Sequence, residues 1–255
     1  MNSPPNAFDY RRVALTPETL TAPHSTRTPC SDGKISLVIF DCDGVLIDGE
    51  RQSTSLMAQE ARRYGWNLSD SQAHRIFTGG ELTKIGELIG QKTGREIPAD
   101  WDMMMQNRIV DMMKTEAETV DGAEAMLESV IQLGLPIRVG SNSSGAEMDA
   151  KFQNTGLDEV LEKERIHSGR DLDMPKPRPD IYLHAAQAEG VAPEECIVLE
   201  DSDAGVEAAR RAGMACVLLR PLDKPAPEWP GLFRIAHLSE FPPLLETLMD
   251  QRQAA

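Results

Sequence analysis

The sequence lacks an excess of positive charge, paired cysteines and long apolar segments, and each absence excludes a class of protein. Its 26 Lys and Arg are outnumbered by 41 Asp and Glu, so nucleic acid, whose binding depends on basic patches, is not expected as a partner. The 4 cysteines show no Cys-x-x-Cys spacing, which favours buried free thiols in a reducing compartment over disulfides or zinc ligands. No apolar run is long enough to span a membrane. We therefore expect a cytoplasmic protein without a membrane partner.

Several familiar catalytic and nucleotide-binding motifs are also missing. The chain contains no Gly-x-Gly-x-x-Gly, no Walker loop and no His-Glu-x-x-His, so dinucleotide binding, P-loop chemistry and zinc proteolysis are not expected. At residues 140–145, Asn142 occupies the position at which a hydrolase elbow carries its nucleophilic serine. The 5 histidines are scattered and join no motif, which favours structural or surface roles for them.

What the sequence does contain is a set of predicted strands that end in carboxylates or hydroxyls. The three apolar runs and the residues at their ends are 35–40 with Asp41 and Asp43, 135–140 with Ser141 and Asn142, and 196–199 with Glu200 and Asp201. Taken alone, residues 41–44 are compatible with a solvated turn as well. Strands that alternate with helices are usually parallel neighbours, so the three ends are expected to meet at one edge of a sheet, where ligands bind. Lys176, flanked by prolines, would add a cation.

The charge of these groups predicts a metal ion. An anionic ligand beside such carboxylates would be repelled by roughly 4 kcal/mol for each close charge pair at an intermediate dielectric. A cation is therefore required, and clustered carboxylate oxygens suit Mg²⁺, which commonly takes a few carboxylates together with substrate phosphate.

The motifs, taken in order, resemble those of the haloacid dehalogenase superfamily, and most closely its phosphatase and phosphosugar mutase branch. They cover about residues 35 to 220 of the chain. The matching residues are Asp41-Cys42-Asp43-Gly44-Val45-Leu46 with Asp48 and Glu50, then Ser141, then Lys176-Pro177, then Glu200-Asp201-Ser202 with Gly205, Ala208, Ala212 and Gly213. Dehalogenases do not keep the second acid, so Asp43 indicates phosphoryl transfer.

The resemblance implies a role for each residue of the site. Asp41 is expected to be the nucleophile that forms an aspartyl-phosphate, and Asp43 the general acid-base. Ser141, Asn142 and Lys176 are expected to bind the phosphate.

The metal site is implied in the same way. The expected Mg²⁺ ligands are Asp41, the backbone carbonyl of Asp43 and Asp201, with Glu200 either a ligand or a residue that orients one. The neighbouring Asp203 is expected to be a helix N-cap and not a ligand. Mg²⁺ is thus the expected cofactor, and a small phosphorylated metabolite the expected binding partner.

The pattern of predicted elements indicates an α/β protein with a doubly wound, mostly parallel Rossmann-like sheet and an inserted all-helical cap. Residues 49–119 have helical spacing and no strand signals, which predicts the cap. The core is predicted to comprise residues 35–48 and 120–255, and residues 1–34, rich in Pro, Ser and Thr, to form a flexible extension. We expect a monomer or a weak homodimer.

Three functions remain open at this point. A Mg²⁺-dependent phosphatase acting on a sugar phosphate or sugar acid phosphate is favoured over a phosphosugar mutase, because Ser53 stands where the mutase branch has a histidine. A non-catalytic binding module on the same fold is the third. Thr78, Gly79 and Lys84 are the candidate substrate contacts of the cap, although Lys84 is also compatible with a solvated helix position.

Overall fold

The computed structural model describes residues 34–250. The predicted extension lies outside the described residues except for Lys34, and so does Cys30. Cys42 and Cys216 are buried free thiols, which confirms the prediction for these two, and Cys196 is buried as well. Within the described range, no helix is both long enough and apolar enough to cross a membrane.

A six-stranded sheet in the order β5-β4-β1-β6-β7-β8 forms the core, and every neighbouring pair in it is parallel. The strands of the chain are β1 (Leu37–Phe40), β2 (Ile47–Asp48), β3 (Glu118–Thr119), β4 (Ile137–Ser141), β5 (Ile166–Ser168), β6 (Cys196–Glu200), β7 (Ala215–Leu219) and β8 (Leu232–Ile235). The prediction of a mostly parallel α/β sheet is confirmed.

Helices cover both faces of this sheet. The helices are α1 (Glu50–Arg63), α2 (Asp70–Phe77), α3 (Leu82–Thr93), α4 (Trp101–Glu116), α5 (Ala123–Gln132), α6 (Gly145–Thr155), α7 (Asp180–Glu189), α8 (Asp203–Ala212) and α9 (Phe241–Asp250). Successive side chains of a strand point to opposite faces. In β1, Val38 and Phe40 pack with α5, α6 and α9, while Leu37 and Ile39 pack with α7 and α8. All four are buried, as expected of a central strand with helices on both sides.

The four helices α1 to α4 form a helical insertion, residues 50–116, between β2 and β3. The two short strands pair antiparallel, so that Ile47 lies opposite Thr119 where the chain enters and leaves the insertion. Strands of two residues leave no periodic signal, and sequence analysis missed them. In α4, Trp101, Met105, Ile109 and Met113 recur at helical spacing and are buried, so this face of the helix packs into the core.

One prediction about helix capping is wrong. Ser202, and not Asp203, is the N-cap of α8, and its hydroxyl accepts the Gly205 N–H at 3.0 Å. Asp203 lies in the first turn of α8 and pairs with Arg220 instead. The serine precedes the helix in the extended conformation that an N-cap requires, whereas Asp203 already has a helical position.

Candidate active site

The polar ends of three neighbouring strands meet at one edge of the sheet. Because β1 lies between β4 and β6, the order of the sheet brings Asp41, Ser141 and Glu200 side by side. Gly44 then turns the chain away with a φ of 80°, and a Cβ at this position would overlap the Asp201 carboxylate. A glycine is therefore required both by the turn and by the close approach of Asp201.

Lys176 is buried between two of these acids. Its Nζ donates to Asp41 Oδ1 at 2.7 Å and to Glu200 Oε1 at 2.6 Å. The Asn142 side chain holds the backbone of Lys176, since its Oδ1 accepts the Lys176 N–H at 2.8 Å and its Nδ2 donates to the Lys176 carbonyl at 3.3 Å. The Asn142 side chain therefore positions Lys176. The backbone of Asn142 is the part of this residue that is available to a phosphate.

Glu200 is fully buried, and both of its carboxylate oxygens accept hydrogen bonds. Oε1 accepts from Lys176 and from the Tyr182 hydroxyl at 2.6 Å, while Oε2 accepts from the Ser202 hydroxyl and from two backbone N–H groups. Burial alone would raise the pKa of Glu200, but Lys176 and the hydrogen bonds lower it overall. A Cβ at Gly205 would overlap this carboxylate, so α8 begins against it. The sequence does not predict this role for Tyr182, because an aromatic residue on the buried face of α7 has the same pattern as an ordinary core residue.

Three carboxylates form a cluster that fits a divalent cation. Asp41, Glu200 and Asp201 each offer an oxygen, and these atoms lie within 4.8 Å of one another. Burial and the nearby Glu200 raise the pKa of Asp41 and raise that of Asp201 to about 7. Such crowding of anions is relieved by a bound cation, and the all-oxygen donor set suits Mg²⁺.

The carboxylate of Asp43 is not part of this cluster. Its Oδ1 accepts from Lys151 Nζ at 2.6 Å and its Oδ2 from the Ser143 hydroxyl at 2.7 Å. Lys151 also donates to Glu147 Oε1 at 2.6 Å. Burial would raise the pKa of Asp43, but the Lys151 ammonium and these hydrogen bonds lower it overall.

The roles of Lys151 and Glu147 are not predicted by the sequence motifs. The two are four residues apart on α6, a spacing at which opposite charges usually pair on an exposed helix surface. One signal was available: Lys151 follows Met148 by three residues and so lies on the apolar face of the helix.

A cavity of about 320 Å³ lies between the sheet edge and the helical insertion. The predicted core residues that line it are Asp41, Asp43, Ser141, Asn142, Lys176 and Asp201. Thr78 and Gly79 line it from the insertion, together with Ser53 and Gln106. Lys84 is not among the lining residues: its side chain is 70% exposed and pairs with Glu81, one turn earlier on the helix surface. The structure therefore does not bring Lys84 to the site.

The chain matches a known protein family over the residues that form this site. A family model described as haloacid dehalogenase-like hydrolase matches residues 35–213, which is more than half of the chain and includes every polar residue of the sheet edge. The chain belongs to the haloacid dehalogenase-like hydrolases.

Relatives of this hydrolase family cover most of the chain. The 6-phosphogluconate phosphatase of Escherichia coli (strain K12) is 27% identical over 214 residues, which are 83% of this chain and 95% of that protein. The validoxylamine A 7'-phosphate phosphatase of Streptomyces hygroscopicus subsp. limoneus is 31% identical over 193 residues, 71% of this chain and 84% of that protein.

Among solved structures, a HAD family hydrolase from Deinococcus radiodurans R1 with bound phosphate and sodium is similar in fold. It aligns with a TM-score of 0.68 and 27% identity, covering 85% of this chain and 97% of that chain. The predicted family and enzyme class, a phosphatase of the haloacid dehalogenase superfamily, are confirmed by these comparisons.

Proposed function

We propose that the protein is a Mg²⁺-dependent phosphatase that hydrolyses a small phosphorylated metabolite through an aspartyl-phosphate on Asp41. The observation that carries the proposal is the position of Asp41. It directly follows β1 and lines the cavity, beside the Lys176 ammonium at 2.7 Å and within the acidic cluster. The relatives named 6-phosphogluconate phosphatase and validoxylamine A 7'-phosphate phosphatase support a small phosphorylated metabolite, a sugar phosphate or sugar acid phosphate, as the substrate class.

The residues that would hold Mg²⁺ are Asp41, Asp201 and the backbone carbonyl of Asp43. Glu200 would orient the site and not ligate directly, because both of its oxygens already accept hydrogen bonds. When bound, the ion offsets the repulsion between these carboxylates and the phosphate.

The remaining chemistry falls to the side chains at the sheet edge. An Asp41 oxygen attacks phosphorus and the ester P–O bond breaks. Asp43, whose pKa is lowered in the free protein, takes up a proton when the phosphate anion binds beside it and gives that proton to the leaving oxygen. Water then attacks the aspartyl-phosphate, Asp43 takes up a proton from that water, and the Asp41 bond to phosphorus breaks to release inorganic phosphate. Ser141 and Lys176 donate hydrogen bonds to the non-bridging oxygens during both steps.

The helical insertion acts as the cap in this proposal, within the predicted limits of residues 49–119. It covers the cavity, excludes bulk water and contacts the leaving group. Thr78 and Gly79, which line the cavity, are the candidate contacts of the cap.

The test is phosphate release from a panel of sugar phosphates, sugar acid phosphates and phosphoglycolate, with Mg²⁺ and with chelator. Replacing Asp41 with Asn is expected to lower turnover by about a thousandfold or more while the protein stays folded by circular dichroism. Asp111→Asn, an exposed acid paired with Lys114, is the matched control and should keep full turnover.

Three outcomes would overturn the proposal. Retained activity in Asp41→Asn would refute the assignment of Asp41 as the nucleophile. Metal-dependent isomerisation of a sugar phosphate without release would indicate a mutase. Ligand binding without any turnover would indicate a binding module.

A further inference from the structure

Lys151 is a buried cation that core packing does not explain. Its side chain is 1% exposed, in the middle of α6. A buried ammonium costs several kcal/mol unless it is paired and hydrogen-bonded. Here its three donor bonds reach Asp43 Oδ1 at 2.6 Å, Glu147 Oε1 at 2.6 Å and Ser143 Oγ at 3.2 Å, which uses its full donor capacity.

These bonds fix a side chain that regular structure does not fix. Asp43 follows β1 at the turn that begins the connection to β2, and its side chain is 35% exposed towards the cavity. Lys151 holds one carboxylate oxygen and Ser143 holds the other. With both oxygens held, the side-chain torsions of Asp43 are determined by residues of the β4–α6 segment.

The same network reaches the helical insertion. The second oxygen of Glu147, Oε2, accepts from Gln106 Nε2 of α4 at 2.9 Å, and Gln106 also donates to the Ser144 hydroxyl at 3.2 Å. The chain of contacts from Asp43 through Lys151 and Glu147 to Gln106 thus joins the acid of the sheet edge to a helix that covers the cavity.

We propose that Lys151 is a positioning residue for the reaction, which holds the Asp43 carboxyl at the cavity wall and is itself held by Glu147 and Gln106. This role rests on the proposed function, because it acts through proton transfer by Asp43. One hydrogen-bond network then sets both the packing of α4 against α6 and the orientation of Asp43. A small displacement of a group that transfers protons lowers turnover strongly, while the phosphate contacts that govern substrate binding stay in place.

The test is a double-mutant cycle between Lys151→Met and Asp43→Asn, measured as phosphate release from the best sugar phosphate of the panel. Single turnover with enzyme in excess keeps the slow Asp43→Asn rate measurable. Lys151→Met is expected to lower kcat by about 10- to 100-fold with KM changed less than about twofold. In the Asp43→Asn background the same replacement should cost less than about twofold, because the group it positions is gone.

Two further variants keep the result independent of folding. Lys151→Met with Glu147→Gln removes both charges of the buried pair and leaves only the Asp43 carboxylate, which is 35% exposed, without its ion-pair partner; it should show the same loss of kcat. Lys163→Met, which removes an exposed lysine paired with Asp149, should leave kcat unchanged.

The outcomes separate this role from the function on which it rests. An equal loss in both backgrounds, or a rise in KM without a fall in kcat, with wild-type turnover intact, would overturn the role of Lys151 alone. Absence of metal-dependent turnover in the wild-type protein would overturn the proposed function and this role together.

Discussion

Two buried lysines in this protein have the same immediate surroundings. Each has its ammonium 2.6 or 2.7 Å from two carboxylates, one at the end of β1 or just beyond it and one from a later element. The two sets are Lys176 with Asp41 and Glu200, and Lys151 with Asp43 and Glu147. Locally, the two ion-paired centres differ little.

The difference lies in what surrounds each centre. Around Lys176 a third acid, Asp201, leaves an excess of negative charge, and burial with Glu200 raises the pKa values of Asp41 and Asp201. Around Lys151, the pKa of Asp43 is lowered instead, despite burial. The first centre, with three carboxylates around one ammonium, therefore favours an added cation. The second, with two carboxylates around one ammonium, holds the Asp43 side chain still through its ion pair with Lys151.

Replacing each lysine in turn should produce the largest difference between the two centres. Lys176→Met leaves two buried carboxylates facing each other, so we expect a loss of about 3–5 kcal/mol in the free energy of unfolding. Turnover should also fall by about 10²–10³-fold, since Lys176 contacts the phosphate in the proposed reaction. Urea denaturation and phosphate release measure the two effects. Lys151→Met should cost similar stability but less turnover, and a larger loss of turnover in Lys151→Met would contradict the difference drawn between the centres.

Mg²⁺ should stabilise the protein by binding at the Lys176 centre, and it should not bind at the Lys151 centre. At about 100 times its Kd, a ligand that binds only the folded state adds about 2.7 kcal/mol to the free energy of unfolding. We expect this gain in the wild-type protein and in Lys151→Met, and a clear reduction of it in Asp201→Asn. Thermal unfolding in EDTA and in increasing Mg²⁺ measures it. An undiminished Mg²⁺ effect in Asp201→Asn would place the cation elsewhere.

The pH dependence of stability should have opposite signs at the two centres. The pKa of Asp201 is about 7 in the folded protein against 3.8 for an ordinary aspartate. Between these values the folded protein holds a proton that the unfolded chain has released, so in EDTA this contribution falls as pH rises from about 4 to about 7, by at most about 1.4 kcal/mol per pH unit. Asp43, with its lowered pKa, loses its contribution as pH falls below the ordinary aspartate pKa.

Urea denaturation across pH, taken as the difference between the wild-type protein and each single Asn variant, isolates these two contributions from those of other titrating groups. The difference in the free energy of unfolding between the wild-type protein and Asp201→Asn should change with pH between 4 and 7 in EDTA. Added Mg²⁺ should make this difference smaller over that range, since a bound cation favours the charged carboxylate. If this difference does not change with pH in EDTA, the pKa of the Asp201 carboxyl is not raised in the folded protein.

The smallest effect is expected at Lys84, the exposed counterpart of the two buried lysines. It pairs with Glu81 on the helix surface, and both side chains are about 70% exposed. Lys84→Met should change the free energy of unfolding by less than about 0.5 kcal/mol, because exposed pairs are weak, and should leave KM unchanged. Steady-state kinetics and urea denaturation check both. A several-fold rise in KM would restore Lys84 as a substrate contact.

Much of the fold and of the Lys176 centre could be predicted because the signals are local. The apolar run ending in Asp41 and Asp43 and the alternation of strands and helices each occupy short stretches of sequence. The bonds of Asn142 to Lys176 and the contact of Tyr182 with Glu200 could not be predicted, since they join positions that only the packed sheet brings together.

The order of motifs, the parallel α/β pattern and the acids at the strand ends can all be read from the sequence alone, because hydrophobic periodicity and turn residues act over a few positions. Which lysines are buried depends instead on how the elements pack together. Asp43 and Lys151 are 108 positions apart, and the Glu147–Lys151 pair has the spacing of an exposed helix pair. Packing of α4 against α6, and of α6 against the sheet, removes that pair from water and turns an ordinary surface pattern into the support of Asp43.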